Sequence, residues 1–386
     1  MGLKKEMETQ ENGQPKLMVG LDIGTTKIAV IVGYESDGKI DIVGYGKAES
    51  LGVQHGLIYN VTKTTDGINT AKEQAEARID NFMVEDVFVG IAGRHIKSIE
   101  YKHVLTRLNG KDRIIQQDEI DQMLKDLYSI SVPDGEQIIT VIPQRYVIDH
   151  SRQTYEPVGE LGEIIEGYYQ LVTGNEREIN KILMCVGNAQ LKTKDIILEP
   201  IASGLSCLSD EEKKRGVALI DIGGGTTDLI IYYEGNPVFT KVIPIGGSII
   251  TKDIAQICSI TEELAEDIKK KHGTCIVANS NSDHFISLPQ FHAAPVRQIN
   301  EAHLATIINY RVQNDILNKV KEEIENSGYA NKLLAGVVLT GGGSTLRHIK
   351  ELCAYTLQKS VRIGNPEMGF LHNIPAELKN PMYATA

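Results

Sequence analysis

Two stretches of this chain follow the same hydrophobic pattern: an apolar run, a glycine turn with neighbouring threonines, and a second apolar run. Residues 19–33 read Val-Gly-Leu-Asp-Ile-Gly-Thr-Thr-Lys-Ile-Ala-Val-Ile-Val-Gly. Residues 217–233 read Val-Ala-Leu-Ile-Asp-Ile-Gly-Gly-Gly-Thr-Thr-Asp-Leu-Ile-Ile-Tyr-Tyr. Val, Ile and Leu at this density predict buried strands. Glycines between two such runs predict a tight hairpin. A further strand is expected after each copy, at 40–43 and at 238–243. Both copies read as strand, Asp-Ile-Gly, Thr-Thr, strand, so the unit is duplicated. Duplication predicts two similar domains that face each other with a ligand between them.

The rest of the chain alternates helix and strand periods. A helix is expected over 62–82, with Ile68, Ala71, Ala75 and Ile79 on one face. A strand at 87–92 follows, then a short amphipathic helix at 114–127 with acidic residues early, where the helix dipole favours them. Strands at 137–141, 144–148 and 166–172 break the rhythm and suggest a small α+β unit inserted into the first domain. A helix at 176–186, a strand at 195–198, a small-residue helix at 202–208 and a polar link at 209–215 lead to the second hairpin. Beyond it, helices are expected at 249–257 and 262–272, a polar loop at 274–297 and one long helix over 301–327. The chain then runs from a strand into Thr340-Gly-Gly-Gly-Ser344, with a helix over 345–357.

The chemistry of the turns narrows the ligand. Three consecutive glycines remove every Cβ and let a ligand approach bare N–H groups. Hydroxyls and two carboxylates, Asp221 and Asp228, stand beside them. Such equipment suits phosphates and a hydrated Mg²⁺. The Walker A pattern is absent, as are HExxH and a nucleophile elbow, so P-loop and zincin chemistry are unsupported. A net charge of −11 argues against a broad nucleic-acid surface. Five scattered cysteines without a CxxC pair fit reduced, buried thiols. No run approaches the ~20 apolar residues of a membrane span. Residues 1–16 are polar, expected to be a disordered tail, and carry no signal-peptide core.

Two Asp-Ile-Gly hairpins and the late glycine turn resemble the nucleotide-binding pattern of the actin, sugar-kinase and heat-shock chaperone superfamily. Within it, about residues 16–386 resemble the bacterial cell-division family FtsA. The resemblance is carried by Leu21-Asp-Ile-Gly-Thr-Thr-Lys27, Val89-Gly-Ile-Ala-Gly-Arg-His95, Val141-Ile-Pro-Gln-Arg-Tyr146, Pro157-Val-Gly159, the stretch from Asp221 to Asp228, Lys241-Val-Ile-Pro244, the stretch from Val338 to Gly343, and Val361-Arg-Ile-Gly364. It implies an α/β chain with a two-domain actin-like (ribonuclease H-like duplicated) fold and an inserted α+β subdomain. The first domain would comprise 17–85 and 172–211, and the insertion 86–171. The second domain would comprise 212–257 and 332–371, with a small subdomain at 258–331 and a return to the first domain over 372–386.

The same resemblance implies site residues. Gly24, Thr25, Thr26 and Lys27 would hold the phosphates of ATP from one side, and Gly223, Gly224, Gly225, Thr226 and Thr227 from the other. Asp22 and Asp221 would hold Mg²⁺ through waters. Gly246, Gly247, Glu266, Lys269, Gly342, Gly343 and Ser344 would line the adenosine. Glu266 and Lys269, three apart, share a helix face, which also suits a solvated charge pair. Glu199 is the candidate for orienting a hydrolytic water, or else a plain helix-start carboxylate before Pro200. At most slow hydrolysis is implied.

The family polymerises at the cytoplasmic face of the inner membrane at the division septum, tethers FtsZ and recruits later division proteins. Arg297 and Arg311 match its basic contacts for the acidic FtsZ C-terminal peptide. The family's amphipathic membrane-binding helix lies past Ala386 and is expected to be absent from these residues. A pilus-assembly ATPase and a small-molecule kinase of the superfamily are the alternatives. The motifs at 141–146 and 361–364 favour division over pilus, and no aspartate stands where a sugar kinase needs its base. Closure around ATP is expected to hinge near 209–216 and 331–336.

Overall fold

Both hairpins form, and each seeds a sheet of the same plan. In this computed structural model, which describes residues 17–36, 38–80, 82–107, 114–288 and 297–386, strand Leu17–Ile23 pairs antiparallel with Lys27–Ser36, and Val217–Ile222 with Thr227–Tyr233. The expected tail at 1–16 lies outside the described residues. On one flank of each hairpin lies a third antiparallel strand, Lys39–Glu49 in the first sheet and Asn236–Ile243 in the second. On the other flank lie two parallel strands, Asp86–Ile91 then Lys192–Leu198 in the first, and Gly336–Thr340 then Val361–Ile363 in the second. Strand-for-strand agreement makes the two halves a duplication. The short strand Leu371–His372 adds to the first sheet beside Lys39–Glu49, so the chain does return to its first half.

The register refines the expected repeat. Ile23 faces Ile28, and Ile222 faces Thr227. Both turns therefore hold four residues, Gly-Thr-Thr-Lys in one and Gly-Gly-Gly-Thr in the other. Gly24 N–H donates to the Lys27 carbonyl at 3.0 Å, and Gly223 N–H to the Thr226 carbonyl at 2.9 Å. Thr25 and Thr26 thus stand where the second turn has Gly224 and Gly225, and the two Thr-Thr pairs are not equivalent. Lys27 takes the place of Thr226.

The insertion begins later than the sequence suggests. Strand Asp86–Ile91, expected to open it, pairs with both neighbours in the first sheet. The inserted sheet is ordered Lys97–Thr106, Ile164–Asn175, Glu136–Ile148, Arg152–Thr154, all antiparallel. Glu136–Ile148 is one strand where two were expected. Pro143 lies inside it, opposite Tyr169, next to a register shift that accommodates the missing N–H. Helix Gln117–Leu127 covers one face, and Ile120, Met123, Leu127, Tyr146 and Tyr169 make a separate core. Gln116 and Glu119 cap this helix reciprocally, an arrangement that typically contributes about 1 kcal/mol.

The other face of the insertion meets the outer edge of strand Asn236–Ile243. Gln170 accepts from the Thr240 N–H at 3.1 Å and donates to its carbonyl at 3.5 Å. Gln144 donates to the Val238 carbonyl at 3.1 Å and Ser98 to the Thr240 carbonyl at 3.4 Å. Alternate backbone groups of an edge strand are thereby satisfied by side chains.

In the second half, Ile220, Ile222, Leu229 and Ile231 of the sheet share one core with Ile250, Ile254, Ala265, Leu304, Ile308 and Ile316. The expected small subdomain at 258–331 therefore continues the core of its sheet. The long helix expected over 301–327 is interrupted: Glu301–Tyr310 and Asn318–Asn326 are α-helical, and Arg311–Leu317 between them is a wider π-helical turn. The expected polar link at 209–215 is a helix, Asp210–Arg215, with Ser209 and Glu212 as a reciprocal cap. Arg362 grips Glu212 at 2.7 Å through two nitrogens and donates to the Cys207 carbonyl at 2.7 Å.

Candidate functional site

The carboxyl end of the first strand in each hairpin carries an aspartate, Asp22 and Asp221, both buried. Helix Glu199–Cys207 crosses between the halves and brings two more groups to this point. Ser203 donates to Asp221 Oδ2 at 2.8 Å. Glu199, at the helix start, lies against Gly90 at the end of strand Asp86–Ile91. Asp228, which faces Asp221 in the ladder, is the fourth carboxylate.

Burial and mutual repulsion govern the charges here. Burial, with the charges of Asp22, Asp228 and Asp221 adding, pushes the Glu199 carboxyl well above the ordinary range, against the pull of Lys27. Burial and then Asp221 do the same to Asp228. Asp221 is pushed up to about 6 by burial, with Ser203 opposing and Asp22 adding. Asp228 Oδ2 accepts from Thr226 at 3.1 Å, while its buried Oδ1 has no partner. The cation against this group is Lys27, whose Nζ pairs with Asp22. Four carboxyl groups face one ammonium, and a divalent cation would relieve the repulsion that adds to burial in raising Glu199, Asp221 and Asp228. Among the described residues no three His, Cys, Asp or Glu side chains converge to ligate a metal directly.

The two turns meet across the cleft. A Cβ on Gly224 would lie 2.4 Å from Thr26 Cγ2, and one on Gly225 would lie 2.6 Å from Thr25 Oγ1. Glycine is required at both positions for this approach. His55, on the loop between strands Val53–Gln54 and Leu57–Ile58, places Nδ1 3.1 Å from the Gly225 carbonyl, and Gly56 N–H donates to Thr25 Oγ1 at 3.2 Å. Gly24, Thr25, Thr26, Lys27, Gly223, Gly224, Gly225 and Thr226 are therefore gathered in one place. Thr227 is the exception. Its side chain is fully buried and its hydroxyl donates to the Ile245 carbonyl at 2.7 Å, because a residue one step into the strand points to the opposite face.

Gly246 and Gly247 pack on the second turn, with the N–H groups of Gly247 and Ser248 donating to Gly223 and Gly224 carbonyls at 2.9 and 2.8 Å. Glu266 and Lys269 share a helix face as expected, but they are not a solvated pair. Lys269 is buried and donates to Glu266 at 2.6 Å, to Thr251 at 2.8 Å and to the Gly247 carbonyl at 3.1 Å. Burial lowers the Lys269 pKa, with Glu266 opposing. In the late turn, Ser344 donates to the Gly341 carbonyl at 2.7 Å and Gly343 packs on Ile222. Gly342 has open space beside it. Gly341 itself has a φ of 80° and faces Asp221.

Arg311 stands apart from this cleft, at the start of the π-helical turn. It is paired with Asp253 at 2.5 Å and Asp315 at 2.6 Å, which raise its pKa. Arg297 opens strand Arg297–Asn300, which pairs with Phe285–Leu288. Ser203, Thr251 and His55 also belong to the cleft and were not assigned from the sequence. Asp228 was visible as the residue closing the Thr-Thr turn. The others sit far along the chain with no local pattern. A cavity of about 400 Å³ lies elsewhere, between the inserted sheet at Lys102, Arg145 and Tyr168 and the second half at Phe239 and Tyr329.

Comparison with known proteins follows the same division. The family described as "Cell division protein FtsA" matches residues 218–386, and "SHS2 domain inserted in FTSA" matches 93–173. The latter begins after strand Asp86–Ile91, in agreement with the sheet pairing. The cell division protein FtsA of Neisseria meningitidis is 34% identical over 376 residues, 97% of this chain and 89% of that protein. That of Pseudomonas aeruginosa is 33% identical over 371 residues, covering 96% and 87%, and that of Bacillus subtilis is 33% identical over 351 residues, covering 91% and 79%. Among solved structures, the PilM–PilN type IV pilus biogenesis complex gives a TM-score of 0.65 at 16% identity, covering 95% of this chain and 96% of that one. MreB5 of Spiroplasma citri bound to AMPPNP gives 0.56 at 16% identity, covering 96% and 94%. These likenesses make the fold actin-like, with an inserted SHS2 domain.

Proposed function

The chain belongs to the FtsA family of cell-division proteins, and from that premise we propose that it binds ATP with Mg²⁺ between its two glycine turns and works as a polymerising adaptor. The observation that carries the nucleotide reading is the facing of the two turns over Asp22, Asp221, Asp228 and Glu199. Glycine N–H groups and Lys27 would take phosphates, and Asp22 and Asp221 would hold the waters of the metal. Mg²⁺, when bound, supplies charge neutralisation between phosphates and carboxylates. Glu199, protonation-prone in this surrounding, would orient a water, and hydrolysis would be slow. Lys269, held by Glu266, donates to the Gly247 carbonyl and so would shape the adenosine side.

In this reading the protein forms filaments at the cytoplasmic face of the membrane and tethers FtsZ through its acidic C-terminal peptide, so that later division proteins can follow. No described helix is long and apolar enough to cross a membrane, and attachment would need an amphipathic segment. Head-to-tail repetition of one contact gives an open filament. The test is binding of the FtsZ C-terminal peptide, with and without ATP, against Arg297→Glu. Micromolar binding, about 8 kcal/mol, weakened by the reversal supports both the role and the surface. No binding to the wild type would count against the adaptor role. Binding untouched by the reversal would move the surface elsewhere.

A further inference from the structure

The stretch Pro381–Ala386 touches both halves of the cleft. The Pro381 carbonyl accepts the N–H of Gly341 at 3.2 Å and the hydroxyl of Thr340 at 3.3 Å, at the head of the late glycine turn. The Ala384 carbonyl accepts from Ser206 on the crossing helix at 2.6 Å. Tyr383 is buried against Ala29 and Leu378, and its ring centroid lies 5.4 Å from Lys27 Nζ. From this anchored backbone Thr385 Oγ1 donates to Asp22 Oδ2 at 3.1 Å.

Asp22 Oδ2 thus receives two protein donors, the Lys27 ammonium and the Thr385 hydroxyl. Their fates differ once a phosphate arrives. Lys27 sits on a flexible four-carbon stem and can swing to an anion. Thr385 has one side-chain torsion to its hydroxyl and follows a backbone tied down at Pro381 and Ala384, so it stays. With both donors on Oδ2, Oδ1 is left turned toward the Gly24 turn, where a hydrated cation would be met.

We propose that Thr385 is a positioning residue for metal-dependent nucleotide binding: its hydroxyl fixes the rotation of Asp22, so that one oxygen serves the protein and the other serves the waters of the cation after Lys27 has turned to phosphate. The proposal rests on the reading of the cleft as a Mg²⁺–nucleotide site. Tyr383 contributes by holding the backbone and by flanking Lys27. The role concerns the metal more than the phosphates, which separates it from a general structural one.

The test is ATP affinity of the whole chain, by equilibrium dialysis, in excess Mg²⁺ and in a chelator, for wild type, Thr385→Val and Thr385→Ser. Valine keeps the shape and removes the donor. The factor by which Mg²⁺ tightens ATP binding is expected to fall about three- to tenfold in the valine variant, as the loss of one hydrogen bond of ordinary net strength implies, and to return in the serine variant. Affinity in the chelator is expected to stay within about twofold of wild type. An unchanged Mg²⁺ factor, or equal weakening with and without the metal, overturns the proposal while leaving the nucleotide site standing. A wild type that binds no ATP in either condition overturns the site and this role together.

Discussion

Ser203 and Asp221 meet at 2.8 Å although one rides the crossing helix and the other ends a strand of the second sheet. The bond joins the element between the halves to the carboxylate that burial pushes up to about 6. An acid whose pKa is raised on folding holds its proton more tightly when folded, so its contribution to stability falls as pH rises. Here the fall runs from about 4, the unfolded value, through about 6 and is complete at neutrality. Asp221→Asn is therefore expected to raise the stability of the nucleotide-free protein at pH 7 by up to about 3 kcal/mol, and to flatten the pH dependence across this window. Urea unfolding at acid and neutral pH checks it. A destabilised variant would sink the argument.

Gly341 leaves no room for a side chain. At its φ of 80° a Cβ would stand 2.2 Å from Asp221 Oδ1 and 2.7 Å from the Ile222 carbonyl. Gly341→Ala should cost about 3 kcal/mol or more, whereas Gly342→Ala, with open space beside it, should stay within about 1 kcal/mol of wild type. Thermal unfolding of both distinguishes backbone strain from a general intolerance of the turn.

Thr227→Val tests which face this threonine serves. Its hydroxyl donates to a buried carbonyl of Ile245, so the substitution should lower stability by about 1–2 kcal/mol and leave ATP affinity nearly unchanged. A large loss of affinity in a protein of normal stability would restore it as a phosphate contact.

Arg311 is held by Asp253 and Asp315. If it serves an acidic peptide, it must leave them. Asp315→Asn should then tighten peptide binding about two- to fivefold, the scale of an exposed charge pair, while Arg311→Ala should weaken it. Isothermal titration reads both. An Asp315→Asn protein that binds no tighter would place the docking surface away from Arg311.

The duplicated hairpins were legible because glycine turns flanked by β-branched runs are a local signal. Their correspondence was not, because it depends on counting from the residues paired across each turn, Ile23 with Ile28 and Ile222 with Thr227, and pairing is not local. Strand Asp86–Ile91 looked like the start of the insertion since its own pattern cannot say which sheet it joins. The break at Pro143 was read as a boundary, although a register shift lets a strand carry proline. Most of the carboxylate cluster could be seen in Asp-Ile-Gly and Glu-Pro motifs. Its helpers, Ser203, His55 and Thr385, could not, since each reaches the cleft from a distant stretch by a single side-chain bond.

Strand Asn236–Ile243 ends its sheet, yet the amides of Gln170 and Gln144 occupy the backbone groups along its outer rim. A bare rim of that kind is a template for cross-β pairing between molecules. The inserted unit therefore covers that rim within a single molecule. Its removal, even by a deletion that leaves both nucleotide turns intact, should convert a well-behaved protein into one that aggregates through that exposed rim.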